Sequence, residues 1–532
     1  MTHTSNTYID DLLDMSDPVV SSATSEIISS FEGCNILITG GSGFLGILLI
    51  EKLLRCCPDI GKLYLFMRVK KGKLAEQRFA EHFNDVVYDR LKKEQPNFMT
   101  KVIMIEADLK ELDLGLSPEN KERLLDTNII FHAAATVRFN ETLRNAVKIN
   151  VNGTKQLVLF AKKLSNLKAF VHISTAYAHC VNAFIEEKFY SSPLDADQIL
   201  TLVDSFDDKI LDQITPIHRL IGKWPNTYVF TKAIAEDIVR QCSAEIPICI
   251  VRPAIITSTA NEPLTGWINN IYGAVGVVMG SGIGLLRTLH CNPDIIADIV
   301  PADYVVCNAI AAAWDTAKTK DTLLSTETEN SKSPETKRLS VFNYISSRQN
   351  PITWRRFMKL NETYGLQVPT TNVLWYYMLF LNKYLLVHYI CVIFLHMIPA
   401  AIVDTLFFLT GRKPILWKAY KKINLFGSIL SYFTTQQWQF NNDAVLELWN
   451  RMNPTDREIF YFNIEDIDWE IYLKNMIPGM RLYLAHESLD TMDVAKARYR
   501  KLKVAHYTLL TISAILLTWG FVRLIMYIMS FF

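Results

Sequence analysis

The segment Ile36-Leu37-Ile38-Thr39 runs directly into Gly40-Gly41-Ser42-Gly43-Phe44-Leu45-Gly46, and the apolar stretch Ile47 to Leu54 follows at once. A buried strand, a glycine turn and a helix in that order open a βαβ unit, which commits the chain to a parallel sheet with crossover helices. Glycines at this spacing allow a tight turn, bring backbone N–H groups close to a pyrophosphate and let the helix pack on the strand. An ordinary glycine-rich turn would satisfy the backbone alone. The position of this one, at the head of an α/β pattern, points to a dinucleotide.

The pattern continues through Leu63 to Met67, Val102 to Ile105, Ile129 to His132, Phe170 to Ile173 and Ile248 to Val251. Each run is continuous and largely apolar, as parallel strands covered on both faces must be. The expected fold is α/β: a doubly wound parallel Rossmann sheet, followed by a mostly helical C-terminal domain and a C-terminal transmembrane helix. A chain of 532 residues suits about two to four domains. The boundaries read as a disordered tail over 1–30, a dinucleotide-binding domain over 31–360, a helical domain over 361–500 and a membrane anchor over 504–530. Thr319 to Ser340 is polar, with little to bury, and reads as an excursion or linker. Val341 to Ile345 then looks like one more strand.

Lysine plus arginine is 55 and aspartate plus glutamate 54, a net charge of +1 that gives no bulk attraction for nucleic acid. Nine scattered cysteines without a C-x-x-C pair suggest neither a disulfide framework nor a zinc site, so no metal is expected. The polar first thirty residues do not read as a signal peptide. At the other end, Tyr507 to Val522 is uncharged, and after Arg523 the chain stays apolar to Phe532. That is about 39 Å of helix at roughly 1.5 Å per residue, enough to cross a hydrocarbon core of about 30 Å. Lys496, Arg498, Arg500, Lys501 and Lys503 form a basic flank that would keep the preceding domain cytosolic. A helix buried against the protein or a partner is the alternative. A second apolar region, Val373 to Thr410, is interrupted by Asn382, Lys383, two histidines, Pro399 and Asp404. Buried or membrane-dipping helices fit it better than a crossing. The endoplasmic reticulum is the expected membrane and the peroxisomal membrane the alternative, since Met529-Ser530-Phe531-Phe532 is no peroxisomal matrix address.

The second strand ends in Arg68, where an NAD-selective site would place an acidic residue for the ribose 2′-hydroxyl. Arg68, with Lys70 and Lys71, offers forked donors and positive charge to a 2′-phosphate, which favours NADPH. A solvated basic loop is the plainer reading. Asp108-Leu109, after the third strand, is placed to approach the adenine. Small residues Ala133 and Ala134, after the fourth, let the chain pass the cofactor.

Tyr228-Val229-Phe230-Thr231-Lys232 puts a phenol and an ammonium on one helix face, one turn apart. With 22 tyrosines, chance supplies about one such pair, so its weight comes from Ser174-Thr175 at the end of the fifth strand. All of these fall at the carboxyl edge of the sheet beside the glycine turn. Hydride addition to a carbonyl creates an oxyanion that needs a proton donor, and Tyr228 is the candidate. Lys232 would lower the phenol's pKa and hold the nicotinamide ribose. Thr175 or Ser174 would hydrogen-bond the substrate oxygen, although a plain strand-end turn fits them too. Asn150 would orient Lys232 through water; an ordinary helix-surface asparagine fits nearly as well. His172 and His179 read as satisfied core groups. Cys180 could serve a covalent thioester route, but the proton-transfer set already suffices.

At these residues the chain resembles the extended short-chain dehydrogenase/reductases. More narrowly it resembles the alcohol-forming fatty acyl-CoA reductases of the insect type. The pieces are Ile38 to Gly46, Phe131-His132-Ala133-Ala134-Ala135-Thr136-Val137-Arg138-Phe139, Val171 to Tyr177, Val251-Arg252-Pro253, Asp298 to Asp303, Asn350 to Trp354, Trp438 to Asn442 and Gly479-Met480-Arg481. The resemblance implies reduction of a long-chain acyl-CoA to a primary alcohol, with two NADPH consumed, CoA released and one proton donor serving both steps. It also implies that the C-terminal domain accommodates the acyl chain and meets a membrane. His179 and Ala254 depart from the family's common residues, which bears on chain-length preference more than on chemistry. Reduction of a sterol or other lipid ketone, one hydride per substrate, is the competing enzymatic reading. A nucleotide-sensing scaffold that kept the fold is the non-catalytic one.

Overall fold

The computed structural model describes residues 24–70, 72–216, 219–326 and 340–531. Seven strands build the central sheet: β1 (Ile36–Thr39), β2 (Leu63–Met67), β3 (Val102–Glu106), β4 (Ile129–His132), β5 (Ala169–Ile173), β6 (Ile248–Pro253) and β7 (Ser340–Tyr344). Their order is β7-β6-β5-β4-β1-β2-β3, and every pairing is parallel. The order reverses between β1 and β4, so their carboxyl ends open the crevice in which such sheets hold ligands. β1, β2, β4, β5 and β6 are buried at every residue, which explains why they read as unbroken apolar runs.

The helices that matter for the site are α1 (Glu26–Phe31), α2 (Phe44–Cys56), α3 (Gly153–Ala161), α4 (Thr227–Cys242) and α5 (Ala302–Thr326). Further on come α6 (Leu385–Leu409), α7 (Leu416–Thr435), α8 (Trp469–Gly479) and α9 (Met492–Met529). Three expected boundaries shift. The tail read over 1–30 is ordered from its last turn: Ser25 caps α1, and Asp456 accepts from the Ser25 hydroxyl and from the Glu26 and Ile27 amides. The polar stretch begins as a continuation of α5 to Thr326 and ends in β7, while 327–339 lie outside the described residues. The anchor read from 504 belongs to one helix that starts at Met492.

The division near 360 is not a break in packing, because one apolar cluster runs from Ile27 to Met480. Gly266 and Gly479 meet backbone to backbone. A Cβ at Gly479 would stand 1.9 Å from the Gly266 carbonyl oxygen, so α8 can lie against the first domain only with glycine there. A short strand, Gln439–Phe440, pairs with Phe184–Ile185, and the Trp438 indole donates to the Cys180 carbonyl at 2.9 Å. The helical region therefore closes over the carboxyl edge of the sheet instead of standing apart.

Candidate active site

The turn after β1 is built as its glycines require. Gly40 has φ +76°, and a Cβ there would lie 2.6 Å from the Ala134 amide nitrogen. A Cβ on Gly46 would come within 2.3 Å of the Gly40 carbonyl oxygen. Gly43 starts α2 without a side-chain cap, so the first-turn N–H groups present a positive end to an anion. Phe44 stacks on Trp267 at 5.5 Å, and Leu45 packs on the core, which leaves the backbone of Gly41, Ser42 and Gly43 as the cradle. Thr39, at the end of β1, stands in register with His132, and paired residues share a sheet face; its buried hydroxyl meets His132 Nδ1 at 2.7 Å and accepts from the Ala134 amide. Thr39 fastens β1 to β4.

Arg68 stands 3.6 Å from the Asp108 carboxylate, both at the open edge of the sheet. Lys71 lies outside the described residues. A residue the sequence analysis passed over completes this corner: Arg78, on the helix Ala75–His82, donates to the Arg68 carbonyl at 2.6 Å and to Ser42 Oγ at 3.0 Å. Burial and the Arg68 cation both push the Arg78 pKa down, the mark of two guanidinium groups held side by side. Leu109 packs against Gly153 at the start of α3, where a Cβ would come within 2.8 Å of its own. Ala133 donates from its amide to the Thr39 carbonyl. Asn150 is not on the surface. It is buried, donates to Thr231 Oγ1 at 2.9 Å and to the Thr136 carbonyl, and accepts from the Thr136 amide. These bonds tie the loop after β4 to α4.

Asn226 caps α4, which carries Tyr228, Lys232 and Glu236 at successive turns of one face. The Thr175 side chain is close enough to act on the Tyr228 phenol, so the two expected groups do converge. Burial pushes the phenol up to about 12, against the pull of Thr175. Lys232 does not lower the phenol as expected: burial raises it, and Thr175 is the group that opposes. The Lys232 ammonium donates to the Ile173 carbonyl at 2.7 Å, and burial lowers it to about 8, with Glu236 opposing.

Ser174 departs from its expected part. Its hydroxyl turns away from the tyrosine and donates to Glu236 Oε1 at 2.5 Å. Glu236 also takes Arg252 Nη2 at 2.6 Å and His179 Nε2 at 2.9 Å, all nearly without solvent exposure. The Arg252 cation and the hydrogen bonds from Arg252 and His179 hold its carboxyl well below the usual range despite burial. His179 is therefore a partnered core group, as expected. His172 is not: both ring nitrogens are buried without a hydrogen-bond partner among the described residues, and burial followed by the Lys232 cation keeps it neutral. Cys180 is buried with its thiol pushed up to about 12, which disfavours a thiolate nucleophile. Among the described residues no group of three or more His, Cys, Asp or Glu is arranged to hold a metal.

Residues 38–310 match the family model described as male sterility protein, and residues 395–487 match a second model of the same description. The chain is 37% identical to the fatty acyl-CoA reductase wat of Drosophila melanogaster over 491 residues, 92% of each chain. It is 37% identical to fatty acyl-CoA reductase 1 of Rattus norvegicus, again over 92% of each. The chain belongs to the fatty acyl-CoA reductase family. Among solved structures, the reductase domain of a non-ribosomal peptide synthetase from Mycobacterium tuberculosis superposes with a TM-score of 0.53 at 16% identity, covering 90% of this chain and 96% of that one. The terminal R domain of the myxalamid pathway gives 0.51 at 15%, over 91% and 99%. Both share the fold.

For a fatty acyl-CoA reductase the wall opposite the sheet is as important as the sheet itself, and it comes from the distant α7. Phe433, near its end, packs 5.5 Å from Phe139, which stacks on Tyr228 at 5.8 Å. Tyr177 adds edge contacts to Phe433, Trp438 and Phe440. This cluster next to the phenol is built of aromatic rings. No local sequence signal links Phe433 to Tyr228.

Proposed function

We propose that this protein reduces a long-chain fatty acyl-CoA to the primary alcohol, with NADPH as the reductant, from the cytosolic side of the membrane that its C-terminal helix enters. Family membership supports the substrate and product. The single observation that carries the chemistry is the approach of the Thr175 side chain to the buried Tyr228 phenol, one helical turn before Lys232.

Bound in the turn, NADPH would supply the hydride. The backbone of Gly40 to Gly46 and the uncapped start of α2 suit its pyrophosphate, Asp108 and Leu109 the adenine end, and Arg68 and Arg78 beside Ser42 its 2′-phosphate. Thr175 positions the carbonyl oxygen. Tyr228, kept neutral by burial, holds a proton at neutral pH and donates it to the oxygen as negative charge develops there. Lys232 lends positive charge next to that oxygen and to the ribose. The first reduction gives a hemithioacetal that collapses to aldehyde and CoA. The second, with the same donor reprotonated, gives the alcohol. The apolar wall of Phe139, Phe433 and Tyr177 excludes water from the aldehyde between steps.

Purified protein in detergent, given palmitoyl-CoA and NADPH, should oxidise two NADPH per CoA released. A ratio of one with aldehyde accumulating, or no turnover on any acyl-CoA, overturns the reading and leaves the lipid-ketone alternative. Tyr228→Phe should reduce turnover by about 10²–10⁴-fold, the usual contribution of a positioned proton donor, with NADPH binding retained. Replacing both Arg68 and Arg78 by alanine should erase the preference for NADPH over NADH. Residence in the endoplasmic reticulum, against the peroxisomal membrane, is tested by fractionation of tagged full-length protein.

A further inference from the structure

The apolar region expected to be buried or membrane-dipping is not buried. Leu386, Phe394, Phe408 and Leu409 of α6 are 63–73% exposed, an apolar face far larger than a soluble monomer leaves open. α7 folds back on it: the His396 ring stacks on Tyr420 at 4.6 Å, and His396 Nδ1 meets Asn424 Oδ1 at 3.0 Å. The two helices form a hairpin with its tip at 410–415. α7 then re-enters the protein, where the Thr434 hydroxyl donates to the His290 carbonyl and Phe433 lines the site.

The charge on this hairpin is one-sided in a chain whose total is +1. From Thr405 to Asn442 there are five cations, Arg412, Lys413, Lys418, Lys421 and Lys422, and no acid. All five are exposed. The one acid between Thr363 and Asn442 is Asp404, buried and engaged in accepting from the Ile415, Leu416 and Trp417 amides at the start of α7. The outer face of α6 is thus apolar, and that of α7 carries Lys418, Lys421 and Lys422 beside the exposed Trp417 and Leu425.

We infer that the α6–α7 hairpin is an interfacial membrane element: α6 sinks its apolar face into one leaflet, and the cations of the tip and α7 bind anionic phospholipid headgroups on the catalytic side. At 25 residues α6 is long enough to cross. A crossing, however, would carry these five cations into or across the hydrocarbon, away from the side of the basic flank Lys496 to Lys503. The surface is also continuous with the anchor. Just before α6, Trp375 Nε1 donates to His506 Nδ1 at 3.0 Å, and the Tyr376 ring lies 5.9 Å from that of Tyr507, where the apolar part of α9 begins. Both apolar elements leave the protein on one face.

This inference rests on the membrane residence proposed above, and the experiment separates the two. In microsomes, full-length protein receives an N-glycosylation acceptor within a flexible spacer, either between Gly411 and Arg412 or after Phe532. The acceptor after Phe532 should be modified; if it is not, the spanning anchor is wrong. Modification at the tip would overturn the interfacial hairpin. The second arm uses full-length protein in nanodiscs of phosphatidylcholine alone or with phosphatidylserine. Trypsin cleavage at Arg412 should slow at least about fivefold with phosphatidylserine, the effect of a single cation near an anionic surface. Replacing Lys418, Lys421 and Lys422 together by glutamate, at exposed positions, should abolish that protection and leave NADPH binding unchanged. Equal cleavage of the wild-type protein in both lipids would refute anionic headgroup binding.

Discussion

Lys232 shows how burial sets the working range of the site. Its ammonium lies against the Ile173 carbonyl with its pKa drawn down to about 8, so the cation survives at neutral pH and is lost as pH rises through that value. NADPH affinity, followed by cofactor fluorescence, should therefore weaken above about pH 8, and Lys232→Arg should remove the inflection because guanidinium does not deprotonate there. Flat affinity to pH 9.5 would show that the ammonium takes no part in binding. Glu236 acts at the same scale and with the opposite sign. Its carboxylate is favoured in the fold by Arg252 and His179, so the stability it contributes is fully present above about pH 4.3, the ordinary glutamate value, and is lost as pH falls below it. Glu236→Ala leaves Arg252 buried without its anion, which costs about 3–5 kcal/mol. It also frees Ser174, so the drop in melting temperature should come with impaired turnover through the neighbouring Thr175. A melting temperature unchanged from wild type would mean that Arg252 finds compensation in the Glu186 and Lys188 carbonyls it also contacts.

At the scale of elements, the seam between α8 and the first domain has no slack. Gly479→Ala places a methyl group within 1.9 Å of a backbone oxygen, and since neither partner is a flexible side chain, α8 must move. Backbone shifts of this kind cost about 1–3 kcal/mol, and thermal melting should register the loss; a stability equal to wild type would show that the helix relaxes freely. Five of the seven strands were legible in the sequence because double burial forces unbroken apolar runs, the edge strands β3 and β7 because their apolar cores are still continuous, and the turn from Gly40 to Gly46 because its requirements are local. The Tyr228–Lys232 pair was legible for the same reason. What was hidden depends on partners far away in the chain. Thr39 and Ser174 sit at expected places, but strand register and Glu236 decide where their hydroxyls point. Arg78 reaches Ser42 from a helix whose docking no motif announces, and Phe433 reaches the site only because α7 folds back. Hydropathy located α6 but did not distinguish a buried helix from an exposed one, since both are apolar.

At the scale of the molecule, α9 and the α6–α7 hairpin differ in how they are tied to the catalytic body. α9 buries only Ala495, Tyr499 and His506, all before its apolar part, and beyond Tyr507 its described side chains are exposed apart from the half-buried Ser513. Packing across that segment contributes nothing to the site. α7, by contrast, ends against Phe139 and so carries a structural link from the hairpin to Tyr228. Ending the chain after His506 should thus keep the fold. In detergent micelles, acyl-CoA turnover should stay within about twofold of full length, the range of changes that touch no buried feature. The same truncation should abolish resistance to alkaline carbonate extraction, because the remaining hairpin holds a membrane by one leaflet and by charge, which high pH and salt weaken. If the truncated protein lost turnover in micelles, α9 would be a structural part of the catalytic body. If it still resisted extraction, the hairpin alone would be an integral anchor.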